Sequence, residues 1–102
     1  MNKIDSLDHI AINVKSIEDS VKWYESNFEC KIKYKDETWA LIDISGVSIA
    51  LTLSEQHPPH VGLLVKEFPE SLKDKVKKHR DNTEYVYICD NSGNMLELIK
   101  RV

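Results

Sequence analysis

The chain is 102 residues long, 41% hydrophobic and 30% charged, with a formal net charge of −3, the profile of one modest globular domain over 1–102. Its lysines are scattered and its balance is slightly acidic, so no nucleic-acid partner is expected. No apolar run is long enough to cross a membrane, and the opening MNKIDSLDH has no apolar leader core, so a cytoplasmic protein with no membrane partner is expected.

Residues 7–14, LDHIAINV, alternate as a strand, with His9, Ala11 and Asn13 on one face and Ile10, Ile12 and Val14 on the other. Ser16 is a natural N-cap, and Ile17, Val21, Tyr24 and Phe28 follow at helical spacing. Residues 30–35, 38–44 and 47–53 read as three strands, broken at Lys35-Asp36-Glu37 and at Ser45-Gly46. The prolines at 58 and 59 punctuate a loop, after which 60–65, HVGLLV, is a strand. Pro69 suits a helix start, and Phe68, Leu72 and Val76 supply an apolar stripe. Residues 84–89 and 94–100 are strands around the turn Asp90-Asn91-Ser92-Gly93. Cys30 and Cys89 lie in strand-like stretches without metal-ligand spacing, which points to two reduced, buried thiols. The basic run Lys73, Lys75, Lys77, Lys78, His79, Arg80 reads as a solvated helix face with His79 at its end.

The two halves repeat. An offset of 51 places His9 on His60, Val14 on Val65 and Ser20 on Ser71; an offset of 47 places DISGVSIAL on DNSGNMLEL. The change of offset removes four residues between the helix and the final hairpin of the second copy, so its second strand is short or missing. The predicted fold is α+β: a βαβββ module over about 5–54 and a second, shortened to about βαββ, over about 58–102. Two such sheets curl into one open, barrel-like groove.

The same repeat selects the candidate site. His9 and His60 hold one structural position, and Glu97 sits in the apolar strand Met95-Leu96-Glu97-Leu98-Ile99. A carboxylate among apolar residues must be paired, hydrogen-bonded or bound to a metal. His9, His60 and Glu97 make a two-histidine, one-carboxylate set with open positions on a divalent ion. From the residues alone, a structural histidine and a lysine-paired Glu97 stay open beside the metal reading.

LDHIAINVKSIEDSVKWYESNF, HPPHVGLLV and DNSGNMLELI resemble the vicinal oxygen chelate superfamily, which includes glyoxalase I, bleomycin- and fosfomycin-resistance proteins, methylmalonyl-CoA epimerase and extradiol dioxygenases. The resemblance spans nearly the whole chain. Its specific parts are the histidine opening each half and the ending Asp90, Gly93, Asn94, Glu97, Leu98. It implies paired βαβββ modules around a divalent metal (Mn, Fe, Ni, Zn or Co), with His9, His60 and Glu97 as ligands. It implies a small-molecule, oxygen-rich substrate chelated through its oxygens, and a homodimer whose two chains share ligands. A metal-free drug-binding protein of the bleomycin-resistance type and an Fe(II) dioxygenase are the alternatives it carries. The family's fourth ligand falls on Ala50, which can neither ligate nor accept a proton; this departs from glyoxalase I. No catalytic base is assigned.

Among the remaining residues, His57 reads as a loop histidine and Glu55 as pointing away from the groove. Trp39 reads as core packing, and Tyr85 and Tyr87 share a strand face. Asp43 and Asp90 precede Ser-Gly turns and read as caps of backbone amides.

Overall fold

The computed structural model describes residues 6–101. The elements run β1 (Ser6–Val14), α1 (Ile17–Asn27), β2 (Lys31–Lys35), β3 (Trp39–Ile44), β4 (Val47–Leu53), β5 (His60–Leu64), a 3-10 helix (Glu70–Lys75), β6 (Lys77–Lys78), β7 (Glu84–Cys89) and β8 (Met95–Lys100). The mixed α+β architecture and the βαβββ order of the first half are as expected. The chain forms two compact units, one over His9–Pro59 and one joining the described residues up to Asp8 with those from His60 onward. Among the described residues, no helix is long and apolar enough to cross a membrane.

In the first unit the strands lie in the order β2-β3-β4-β1. β1 and β4 are parallel, with Ala11 opposite Ala50 and Asn13 opposite Thr52; the other pairs are antiparallel. α1 starts where Ser16 Oγ accepts the Asp19 N–H at 3.2 Å, with Glu18 and Asp19 favourably placed in the first turn. It ends where Phe28 turns extended and its N–H returns to the Tyr24 carbonyl. Ile17 and Val21 pack on Ala40 and Leu51, flanked by Ile12, Val14 and Ile49. Each large apolar side chain buried there contributes about 1.5–3 kcal/mol. Phe28, expected in the apolar stripe, instead lies past the helix end and is 49% exposed. The β3–β4 turn uses positive φ at Ser45 and Gly46, the pattern of a two-residue hairpin, and Asp43 Oδ1 accepts the Gly46 N–H.

In the second unit the order is β5-β8-β7-β6, with β5 and β8 parallel, Gly62 opposite Glu97, and Tyr87 opposite Glu97 on the other side. The core is Val65, Phe68, Val86 and Leu98, with Leu72 and Val76 against it. The predicted residues are therefore used, but not as the stripe of an α-helix: Leu72 lies on a six-residue 3-10 helix, with Phe68 before it and Val76 just past its end. The physical reason is the missing four residues. A 3-10 helix rises about 2.0 Å per residue against about 1.5 Å for an α-helix, so it crosses the sheet with less chain. The short second strand is present as the two-residue β6.

The basic run accordingly forms no single helix face: it passes through the 3-10 helix, β6 and the turn beyond. Both cysteines are free, but Cys30 is only half-buried and Cys89, at the end of β7, is exposed.

Candidate metal centre

Strand alternation sorts the second unit into two faces. Leu98 and Val86 turn toward the core, so Glu97 and Tyr87 turn the other way. Gly62, beside Glu97 in the ladder, contributes no side chain there. The Glu97 carboxylate is 3% exposed and is approached from both sides by imidazoles. His60 Nε2 lies 3.2 Å from Oε1, with the His60 side chain 4% exposed; His79 Nε2 lies 2.7 Å from Oε2. The His79–Glu97 contact is a hydrogen bond in which Oε2 accepts from the His79 tautomer that carries its proton on Nε2.

Aromatic rings complete this wall. Tyr87 stands edge-on to His60 with ring centres 5.2 Å apart, and Tyr85 stacks on His79 at 3.7 Å and 10°. Tyr85 and Tyr87 meet edge to face at 5.7 Å. Burial, then the neighbouring Glu97 charge, hold the Tyr87 phenol well above the usual tyrosine range.

The sequence missed His79. It was expected on an exposed helix end, yet its side chain is only 29% exposed and bonds Glu97. It closes a tight hairpin. Its carbonyl accepts the Asn82 N–H, its N–H donates to the Thr83 carbonyl, and Asn82 takes φ 68°. Asp81 Oδ1 accepts the Thr83 N–H, and the Thr83 hydroxyl first, then that N–H, hold the Asp81 carboxyl below the usual aspartate range. The Asp81-Asn82 pair is a turn signal that would have moved His79 from a helix to a strand end facing Tyr85.

His9 lies on β1 at the start of the first unit and is half-buried. Its chain neighbour Asp8 belongs to the second unit, where Arg101 clamps its carboxylate with two bonds of 3.1 and 2.9 Å. Ala50, at the position matching Glu97, is 6% exposed. The polar partners nearby in the first unit are Asn13 and Thr52. Asn13 Nδ2 donates to Thr52 Oγ1 at 2.9 Å and to the His57 carbonyl at 3.0 Å. The backbone of His57 thus anchors its loop. Glu55 is exposed. Trp39 is half-buried and stacks on exposed Tyr34 at 4.7 Å, so it is less of a core residue than expected.

The donor set suits a divalent ion. Ligand bonds near 2.1 Å place neighbouring donor atoms about 3.0–3.4 Å apart around octahedral or tetrahedral ions, and His60 Nε2 and Glu97 Oε1 are separated by 3.2 Å. Both are buried, and a buried imidazole–carboxylate pair is a costly way to fill a core for stability alone.

A family model described as Glyoxalase/Bleomycin resistance protein/Dioxygenase superfamily matches residues 6–70. Many solved structures share the fold, three of them as follows. Methylmalonyl-CoA epimerase from Mycobacterium tuberculosis is 16% identical with a TM-score of 0.76, over 97% of this chain and 89% of that one. A superfamily member from Vibrio splendidus 12B01 is 13% identical with a TM-score of 0.71, over 95% and 100%. The 2,3-dioxygenase LapB from Pseudomonas sp. KL28 is 16% identical with a TM-score of 0.60, over 93% of this chain and 42% of that one. With His9 and His60 inside the matched segment, the chain belongs to the glyoxalase/bleomycin resistance protein/dioxygenase superfamily.

Proposed function

We propose that this chain is a divalent-metal-dependent enzyme acting on a small oxygen-rich substrate, with His9, His60 and Glu97 as the metal ligands. Each of the three offers one ligand atom. The observation that carries the reading is the buried His60–Glu97 pair, spaced at 3.2 Å as two donors on one ion. His9 joins it by repeat equivalence with His60. The bound metal supplies Lewis-acid stabilisation of negative charge on a substrate oxygen. Three protein ligands leave positions for two substrate oxygens. The chain's own residues shape what enters: Tyr85 and Tyr87 present ring surface beside the polar pair. The protein acts in the cytoplasm, in keeping with two free cysteines. It acts as a homodimer; β6 covers only Glu84 and Tyr85 of β7, and the rest of that edge suits strand pairing between chains.

Metal analysis of protein purified without an affinity tag tests the reading. The expected result is one equivalent of metal per chain, lost in His60→Ala. The reading fails if no metal copurifies and added Mn, Ni, Zn, Co or Fe(II) leaves the melting temperature unchanged. That outcome favours a metal-free binding protein. Oxygen uptake during a substrate screen would assign an Fe(II) dioxygenase instead.

A further inference from the structure

We propose that His79 is a positioning residue of the metal centre, which ties down one oxygen of Glu97 so that the other is presented beside His60. The proposal rests on the metal reading above; the observation it adds is the bond from His79, a residue outside the ligand set, to Glu97. Each Glu97 oxygen is met by a different imidazole: Oε2 by His79 in a hydrogen bond of 2.7 Å, and Oε1 by His60 at 3.2 Å. The His79 separation is at the short end of the range for an N–H to oxygen bond.

The carboxylate has two oxygens able to turn toward an ion. With Oε2 held by His79, rotation about the last side-chain bond of Glu97 would break that contact. Oε1 therefore stays on the His60 side, and Glu97 binds through one oxygen. Partners of this kind fix ligand orientation, and their loss costs about 10–100-fold in metal affinity.

His79 is itself held for this task. Its backbone N–H and carbonyl both close the β6–β7 turn, which fixes the Cα position. Its ring lies flat on Tyr85, 10° from parallel, which limits rotation of the imidazole. Tyr85 is braced by Tyr87, and Tyr87 by His60. A continuous ring path thus links the two imidazoles that hold the two Glu97 oxygens. The side chain is also more exposed than Glu97, 29% against 3%, so His79 lies on the solvent side of the carboxylate.

The test uses the full chain and Co(II) as the probe. Dissociation constants are measured by calorimetry at one fixed pH, together with the visible Co(II) spectrum and circular dichroism of the apo protein. His79→Ala is expected to weaken Co(II) about 10–100-fold and to change the spectrum. His79→Gln, which keeps an N–H donor at a similar reach, is expected to restore most of both. Wild-type affinity and spectrum in His79→Ala, with binding abolished in His60→Ala, would overturn the role of His79 and leave the metal centre standing. If His79→Ala does not fold, His79→Asn decides. Its amide is too short to reach Oε2, so wild-type affinity there overturns the proposal equally. Failure of the wild-type chain to bind Co(II) overturns the metal reading and this one with it.

Discussion

Glu97 stands directly opposite Gly62 in the parallel β5–β8 ladder, at the register position that Ala50 holds opposite Ala11 in the parallel β1–β4 ladder. The repeat is thus kept in the backbone while its chemistry differs between the halves. Ala50 is buried, so a glutamate there must be desolvated. Ala50→Glu is expected to lower apo stability by about 1–3 kcal/mol. Divalent metal is expected to restore part of this loss, because the new carboxylate takes up the family's fourth ligand position. Melting curves of Ala50→Glu with and without Mn(II), beside the wild type, check both effects. Equal metal-induced shifts in the two proteins would count against the position as a ligand site.

Truncation and neutralisation of Glu97 separate packing from charge. Glu97→Ala leaves the buried His60 imidazole and the half-buried His79 imidazole without their shared partner and opens a cavity. It is expected to cost about 3–5 kcal/mol, the range for breaking a buried charged pair. Glu97→Gln keeps the shape and one carbonyl acceptor, and is expected to cost less than half as much in urea unfolding. Both variants are expected to lose stoichiometric metal. Metal retained by Glu97→Gln at wild-type affinity would remove Glu97 from the ligand set.

The strands were legible because alternation and turn residues agree: 47–53 and 84–89 emerge with the predicted bounds. His60 and Glu97 were legible for a different reason, since a polar residue inside an apolar strand needs a partner. What the sequence hid was non-local or set by length. The His79–Glu97 bond joins residues 18 apart, and nothing in the run of lysines before His79 marks it as facing inward. The 3-10 helix was hidden because the spacing of Phe68, Leu72 and Val76 fits an α-helix; only the shortened crossover argues against one.

Asp36 supplies a pH prediction away from the metal centre. Its carboxylate accepts the Thr38 N–H at 2.7 Å, the Thr38 hydroxyl at 2.8 Å, the Trp39 N–H at 3.0 Å and the Tyr34 hydroxyl. The Tyr34 hydroxyl first, then the Thr38 donors, hold it far below the ordinary value of 3.8. A depressed carboxyl adds stability above its unfolded pKa and loses it as pH falls through the folded one. The contribution is therefore whole above about pH 5 and shrinks steadily below about pH 4. Asp36→Ala is expected to lower stability at neutral pH and to flatten the acid limb. The gap between variant and wild-type urea midpoints should narrow from pH 6 down to pH 2 (roughly the span of carboxylate titration). A constant gap would show that Asp36 acts through packing alone.

The Arg101–Asp8 clamp is expected to matter more for metal than for folding. Arg101 is half exposed and Asp8 mostly shielded, with side-chain exposures of 52% and 15%. Exposed pairs contribute about 0.2–1 kcal/mol, and the forked geometry puts this one near the upper end. Asp8→Asn should therefore change the unfolding midpoint only slightly. Its effect on affinity has a different origin. Asp8 and His9 are consecutive, so their Cα atoms lie about 3.8 Å apart, and releasing one frees the backbone that carries the other. The affinity for Co(II) is expected to drop several-fold in Asp8→Asn and in Arg101→Gln, with the double variant no weaker than either single one. That non-additivity is the signature of one shared contact. Additive losses would mean that the two side chains act independently, and no loss would mean that the clamp braces the strand without setting the position of His9.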